Sequence, residues 1–249
     1  MNDQSVSLNR QLFQMTWPML IGLLAIMSCQ LVDSAFIGQL GAQPLAALGF
    51  TIPMYQLIIG IQVGLGIATT TVISIALGAQ NYKYARELGS LVIASGFVLI
   101  LVLCLLIWTN QKAIVVALGA SEALFPLIQE YWLPWLLGSW LGAMLYFGYS
   151  IFRAHGETFL PGMMMVLTSV LNIVLDPIFI FVLDMGMAGA AWATICAFGT
   201  GCIIIYGFIL RKRLIMPLQN TAIIIAGFKR LLSFMTPAMM SQFIPPLSA

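Results

Sequence analysis

Residues 171–181 read "LNIVLDPIFIF". The run lies within a longer apolar stretch, 159–183, and crossing a bilayer core takes about 20 helical residues. Yet it carries an amide, Asn172, and a carboxyl, Asp176. Four residues apart, the two share one helix face. An acid inside a membrane span costs roughly 2.5–3.5 kcal/mol on insertion scales and is a functional candidate by default. The segment therefore reads as a membrane helix with a built-in polar pair.

Composition extends that reading to the whole chain. Of 249 residues, 61% are hydrophobic and 7% charged, whereas soluble domains carry about 25% charged residues. A chain this apolar cannot cover a water-facing surface, so it is expected to be an all-α integral membrane protein in a lipid bilayer. The cations cluster only at Arg211, Lys212 and Arg213, and without an extended basic arm nucleic acid is not an expected partner. Cys29, Cys104, Cys196 and Cys202 all lie in apolar runs and read as small core residues. The first apolar run is too long for a secretory signal and lacks a small-residue cleavage site. No P-loop and no Ser/His/Asp arrangement is found, so neither an enzyme nor ATP-driven transport by this chain is expected.

Six spans are read near 13–38, 47–77, 88–109, 123–151, 159–183 and 187–210, with a seventh beginning near Leu231. Pro18, Pro53, Pro134 and Pro177 are candidate kinks. With a cytoplasmic N-terminus, that side holds Arg10, Lys83, Arg86, Arg153, Arg211, Lys212, Arg213, Lys229 and Arg230, and the opposite side only Lys112. Nine cations against one is a positive-inside pattern. The chain divides into a cytoplasmic N-terminus (1–12), a six-helix transmembrane lobe (13–210), a cytoplasmic linker (211–230) and the start of a seventh helix (231–249). "RQLFQMTWPM" at 10–19 resembles "KRLLSFMTPA" at 229–238. Six crossings separate the two copies, so both enter from one side, as in a parallel repeat. Pro245 and Pro246 are expected to disrupt the seventh helix.

Two acids stand well inside spans, Asp33 in the first and Asp176 in the fifth. Asp33 lies five residues before the outer end of its helix near Gly38, and Asp176 seven before Leu183. At a rise of about 1.5 Å per residue, both sit roughly 8–10 Å below the outer boundary. Thr194 reaches that level on the inward-running sixth helix, and Asn172 lies one turn deeper. Two carboxyls, an amide and a hydroxyl can carry protons, or can present an all-oxygen nest to a hard cation such as Na⁺. The bland alternative is a pair of packing acids satisfied by their neighbours.

Other features carry less. Glu130 with Tyr131, Trp132 and Trp135 reads as an interfacial aromatic belt. His155 is a loop residue, Asp184 is solvated, and Thr69, Thr70 and Thr71 can bond back to their own helix. Met163, Met164 and Met165 read as membrane core. Gly60, Gly64 and Gly66 suggest close helix approach.

The segments "TWPMLIGLLAIMSCQLVDSAFIGQLGAQPLAALG" (16–49), "FRAHGETFLPGMMMVLTSVLNIVLDPIFIF" (152–181) and "GMAGAAWATICA" (186–197) resemble the multidrug and toxic compound extrusion (MATE) transporters. The resemblance runs from about residue 10 to 240. The "LDP" form is similar to the DinF-like branch rather than the NorM branch. The resemblance implies one six-helix lobe of a twelve-helix protein that exports small cationic or amphipathic drug-like compounds across the cell inner membrane, in exchange for H⁺ or Na⁺. It implies no cofactor beyond that coupling ion. It places the first-lobe cation site at Asp33, Asn172, Asp176 and Thr194, which would also be the Na⁺ ligands if Na⁺ binds. Family chains are about twice as long, so a C-terminal lobe or a second copy would be needed for transport. Protonation of the acids is expected to repack the first helix about Pro18.

Three other readings compete. An intramembrane aspartyl protease also needs two acids at matched depth, but "LVDSAF" and "VLDPIF" lack its G-x-G-D motif. A lipid flippase of a related superfamily would line its cavity with cations, and these spans hold almost none. An inactive truncated fragment is the fourth reading.

Overall fold

Within a bilayer the backbone has no water to bond, so each long apolar run must close its hydrogen bonds inside a helix. The computed structural model describes residues 8–218 and 221–247, with side chains from 13 to 218 and from 224 to 242. In order, the helices are α1 (Leu8–Gln39), α2 (Ala42–Gly49), α3 (Ile52–Gly78), α4 (Tyr82–Thr109), α5 (Gln111–Ala117), α6 (Phe125–Ala154), α7 (Phe159–Pro177), α8 (Gly186–Arg211) and α9 (Thr221–Leu247). A 3₁₀ turn at Glu122–Leu124 precedes α6, and a π-helical turn at Ile178–Val182 follows α7. Among the described residues there is no strand. Among the described residues, six helices are long and apolar enough to cross a membrane, in keeping with the composition.

Several boundaries differ from the sequence expectation. The run 47–77 is broken: α2 ends at Gly49, and α3 starts at Ile52 with Pro53 in its first turn. Pro53 is therefore no kink, because its missing N–H falls where helical N–H groups are unpaired anyway. The third span begins at Tyr82, not 88, because Asn81 Oδ1 accepts from Tyr84 N at 3.1 Å and caps the helix. The last helix begins at Thr221, ten residues before Leu231, so half of the expected linker is helical. Its backbone stays helical to Leu247, past Pro245 and Pro246. The extended part of the linker is strapped to α4, with Met216 N donating to Arg86 O at 3.3 Å and Ser90 Oγ to Met216 O at 2.6 Å.

Each helix packs on a small set of neighbours. α1 lies on α7, α7 on α8, α8 on α6, α6 on α3 and α4, and α3 on α9. Gly64 faces Met235 and Met239 of α9, and Gly66 faces Tyr146 and Ser150 of α6. These glycines do permit close approach. Thr69, Thr70 and Thr71 bond back to Leu65, Gly66 and Ile67 at 2.6, 3.1 and 2.9 Å. Met164 and Met165 are core, whereas Met163 is exposed.

Two contacts set the depth of the polar residues. At Pro18, inside α1, α7 approaches so closely that a Cβ on Gly162 would fall on the Pro18 carbonyl. Pro18 and Gly162 precede Asp33 and Asp176 by fifteen and fourteen residues, so this contact carries the two acids to one level. Beyond Asp176, Pro177 withholds a backbone donor and the helix relaxes into the π turn. That turn is held by Leu183 N to Ile178 O at 2.8 Å and Met185 N to Phe179 O at 3.1 Å. Gly189 of α8 sits against it; a Cβ there would lie 2.7 Å from the Phe179 carbonyl carbon.

Candidate functional site

The four oxygen-bearing residues converge laterally as well as in depth. Asn172 Nδ2 donates to Asp176 Oδ1 at 3.0 Å and reaches Thr194 Oγ1 at 3.5 Å. Thr194 in turn donates to Ala190 O at 3.0 Å, which leaves its oxygen free to accept. The Asp33 and Asp176 carboxyls face each other closely enough to share a hydrogen bond once one carries a proton. Asp176 is fully buried and Asn172 nearly so, while Asp33 and Thr194 are half-buried. Among the described residues, Asp176 Oδ2 has no hydrogen-bond donor. A buried acceptor without a partner costs about 1–3 kcal/mol, so this acid is not simply satisfied by its neighbours.

Two further side chains belong to the cluster. The Cys29 thiol donates to Asn172 Oδ1 at 2.9 Å and lies 3.7 Å from Asp33 Oδ1. Cys29 is a small core residue as expected, but its thiol is also hydrogen-bonded. Its signal was present, since Cys29 and Asp33 stand four apart on α1, as Asn172 and Asp176 do on α7. Tyr131 of α6 is buried and lies close enough to interact electrostatically with both acids. The interfacial belt is corrected with it, because Trp132 is fully buried as well. Tyr131 stands six residues from the start of α6. Gln30 and Tyr55, bonded at 2.6 Å, close α1 against α3 nearby.

The remaining polar residues stay apart from this site. Asp184 and Glu130 are exposed, and the His155 Nδ1 contacts Ile151 O at 2.9 Å at the end of α6. Arg153 Nη2 donates to Ser150 Oγ at 2.7 Å, with its guanidinium 4.8 Å from the Tyr146 ring centre. A cavity of about 590 Å³ lies between the start of α1, the 156–160 turn and Lys212. Gln14, on its wall, precedes Asp33 by nineteen residues, about 28 Å of helix. Among the described residues, no group of three His, Cys, Asp or Glu is placed to hold a metal ion. A cation here would need amide and hydroxyl oxygens beside the two carboxyls.

Known proteins share this arrangement of helices. A family model described as MatE matches residues 18–178. The chain belongs to the MATE family. Members of this family are transporters, not enzymes, which sets the protease reading aside. The MATE chain is 31% identical over 253 residues to a protein named FAD transporter from Shewanella oneidensis, covering 98% of this chain and 55% of that one. It is 29% identical over 178 residues to the multidrug export protein MepA of Staphylococcus aureus, covering 71% and 40%. It also superimposes on the crystal structure of a mutant of the Vibrio cholerae MATE transporter VcmN, with a TM-score of 0.95 and 52% identity, covering 98% and 56%. The MATE chain thus spans about half the length of the relatives it matches, and its six membrane helices fit one lobe of a twelve-helix transporter. It is a multi-pass membrane protein of the MATE family.

Proposed function

We propose that this lobe couples efflux to cation entry through the pair Asp33 and Asp176, with Asn172 and Thr194 completing the site. The observation that carries the reading is the buried Asp176 carboxyl, whose Oδ2 lacks a donor among the described residues and which lies beside the Asp33 carboxyl. A proton shared between the acids, or Na⁺ held by their oxygens, supplies what that atom lacks. Binding and release then change the charge between α1 and α7 and repack α1 about Pro18, which alters the affinity of the lobe for substrate. The exported compounds are small cationic or amphipathic drug-like molecules, in keeping with a lobe whose only charges deep in its spans are acidic. The setting is the cell inner membrane with a cytoplasmic N-terminus, and transport requires a C-terminal lobe or a second copy. The "LDP" form supports placement in the DinF-like branch.

Tryptophan fluorescence of the purified chain tests the site, since it carries six tryptophans and two of them, Trp132 and Trp135, follow Tyr131. Titration with acid and with Na⁺ should give a competitive response that Asp176→Asn removes. A flat response in both proteins sinks the coupling site. The Shewanella relative named FAD transporter motivates a second reading, an anionic flavin dinucleotide as substrate. Quenching by FAD but not by a cationic dye would favour it.

A further inference from the structure

The orientation of one amide decides what the site can hold. Asn172 turns its NH₂ towards Asp176 Oδ1 and Thr194 Oγ1, and its carbonyl oxygen towards the Cys29 thiol. A hard cation such as Na⁺ takes oxygen ligands, and an amide nitrogen that carries two donors offers it none. To ligate Na⁺ beside the carboxyls, Asn172 must turn over. That movement breaks the 2.9 Å bond from Cys29 and sets Nδ2 against sulfur, a weak acceptor. Asp33 and Cys29 from α1, Asp176 from α7 and Tyr131 from α6 are the titratable groups around the amide, while α8 contributes the Thr194 hydroxyl.

We propose that Cys29 is a positioning residue that sets the ion preference of this site, its thiol latching Asn172 with the NH₂ inward and so weakening Na⁺ binding. The inference rests on the coupling site proposed above. Two independent observations support it: the 2.9 Å thiol contact on the far side of the amide, and the buried, donor-less Asp176 Oδ2 within the same cluster. The latch joins α1 to α7, so it also ties the ion preference to the seating of α1.

The test is Na⁺ titration of the purified chain at fixed pH, with choline as the control cation, read by tryptophan fluorescence. Cys29→Ala and Cys29→Val both lack a donor, and either suffices if the other does not fold. Na⁺ affinity should rise about two- to tenfold in them, the equivalent of one net hydrogen bond. Cys29→Ser keeps a donor and should bind Na⁺ no more tightly than the wild type. A cysteine that merely fills space would change thermal stability in Ala and Val and leave Na⁺ affinity alone; that result overturns the latch. Equal gains in Ser and Ala overturn it too, because the donor would then be irrelevant. Asp176→Asn separates the two levels of the argument. If that variant loses the response while the donor-free variants match the wild type, the coupling site stands and the latch falls. If wild type and Asp176→Asn are alike, both fall.

Discussion

Replacing Asp176 by Asn should make the protein more stable while abolishing its cation response. The fully buried carboxyl uses Oδ1 to accept from Asn172 Nδ2 at 3.0 Å, while Oδ2 finds no donor among the described residues. That orphan acceptor costs about 1–3 kcal/mol. In Asp176→Asn, the amide oxygen can keep the bond from Asn172, and the NH₂ takes the place of Oδ2 and donates to the Asp33 carboxyl. Relief of the orphan alone amounts to about 1–3 kcal/mol. For a chain of this size that corresponds to a rise of about 2–10 °C in apparent unfolding temperature. Asp176→Leu has the opposite effect: it leaves the Asn172 donors facing an apolar side chain and should be destabilised by a similar amount. Thermal melting in detergent, followed by tryptophan fluorescence, measures all three. Melting of Asp176→Asn at or below the wild-type temperature refutes the argument that Oδ2 is a costly, waiting acceptor.

Substitutions at three further positions probe the frame around the site. Gly162→Val drives a side chain into the Pro18 carbonyl and should cost about 1–3 kcal/mol by overpacking. It should also weaken the cation response, because α1 and α7 must separate; an unchanged response would show that the contact does not set the site. Trp132 is fully buried with its Nε1 unpartnered among the described residues. Trp132→Phe should therefore melt close to wild type, while Trp132→Ala should lose about 3–5 kcal/mol. The Glu157 and Lys212 side chains bond at 2.7 Å but are 42% and 41% exposed, so Glu157→Gln should change stability by at most about 1 kcal/mol. A larger loss would mean that the turn before α7 is held by this pair.

The membrane class and the six spans are legible because about 20 apolar residues per crossing leave little freedom. The acids are legible for the same reason, since charge is rare where water is absent. Boundaries were harder where hydropathy and hydrogen bonding part company. The 47–77 run is apolar across Phe50 and Thr51, yet Thr51 Oγ1 turns back onto Leu48 O at 2.7 Å and the helix breaks there. Helix α9 starts early because the apolar run 222–226 propagates helix ahead of Lys229 and Arg230. Depth counting found Asp33 and Asp176, whereas Thr194 was singled out among the threonines by the family resemblance; lateral convergence depends on which helices touch, and that follows from glycine contacts such as Gly162 on Pro18. Cys29 was missed because a thiol in an apolar run resembles any other small core residue until its neighbour is known to be an amide.

The way α1 is held gives the cluster its leverage. Only 17% of its apolar window is buried, against 61% for the span containing α6, and Phe13, Leu20, Leu24 and Leu31 are all exposed. Its packing is mainly onto α7. The polar ties along that contact are few: the Cys29 thiol to Asn172, and the facing carboxyls of Asp33 and Asp176. A helix held mainly on one side, apart from the Gln30–Tyr55 bond to α3, with a proline near its start, costs little to move. Adding one positive charge between two facing carboxyls changes the sign of the force along that contact from repulsion to attraction. The same charge placed within α6, clamped between α3, α4 and α8, would meet a rigid wall. On the coupling proposed above, the acids sit at a seam of this lobe that is loosely held among the described residues, where a bound ion would have leverage.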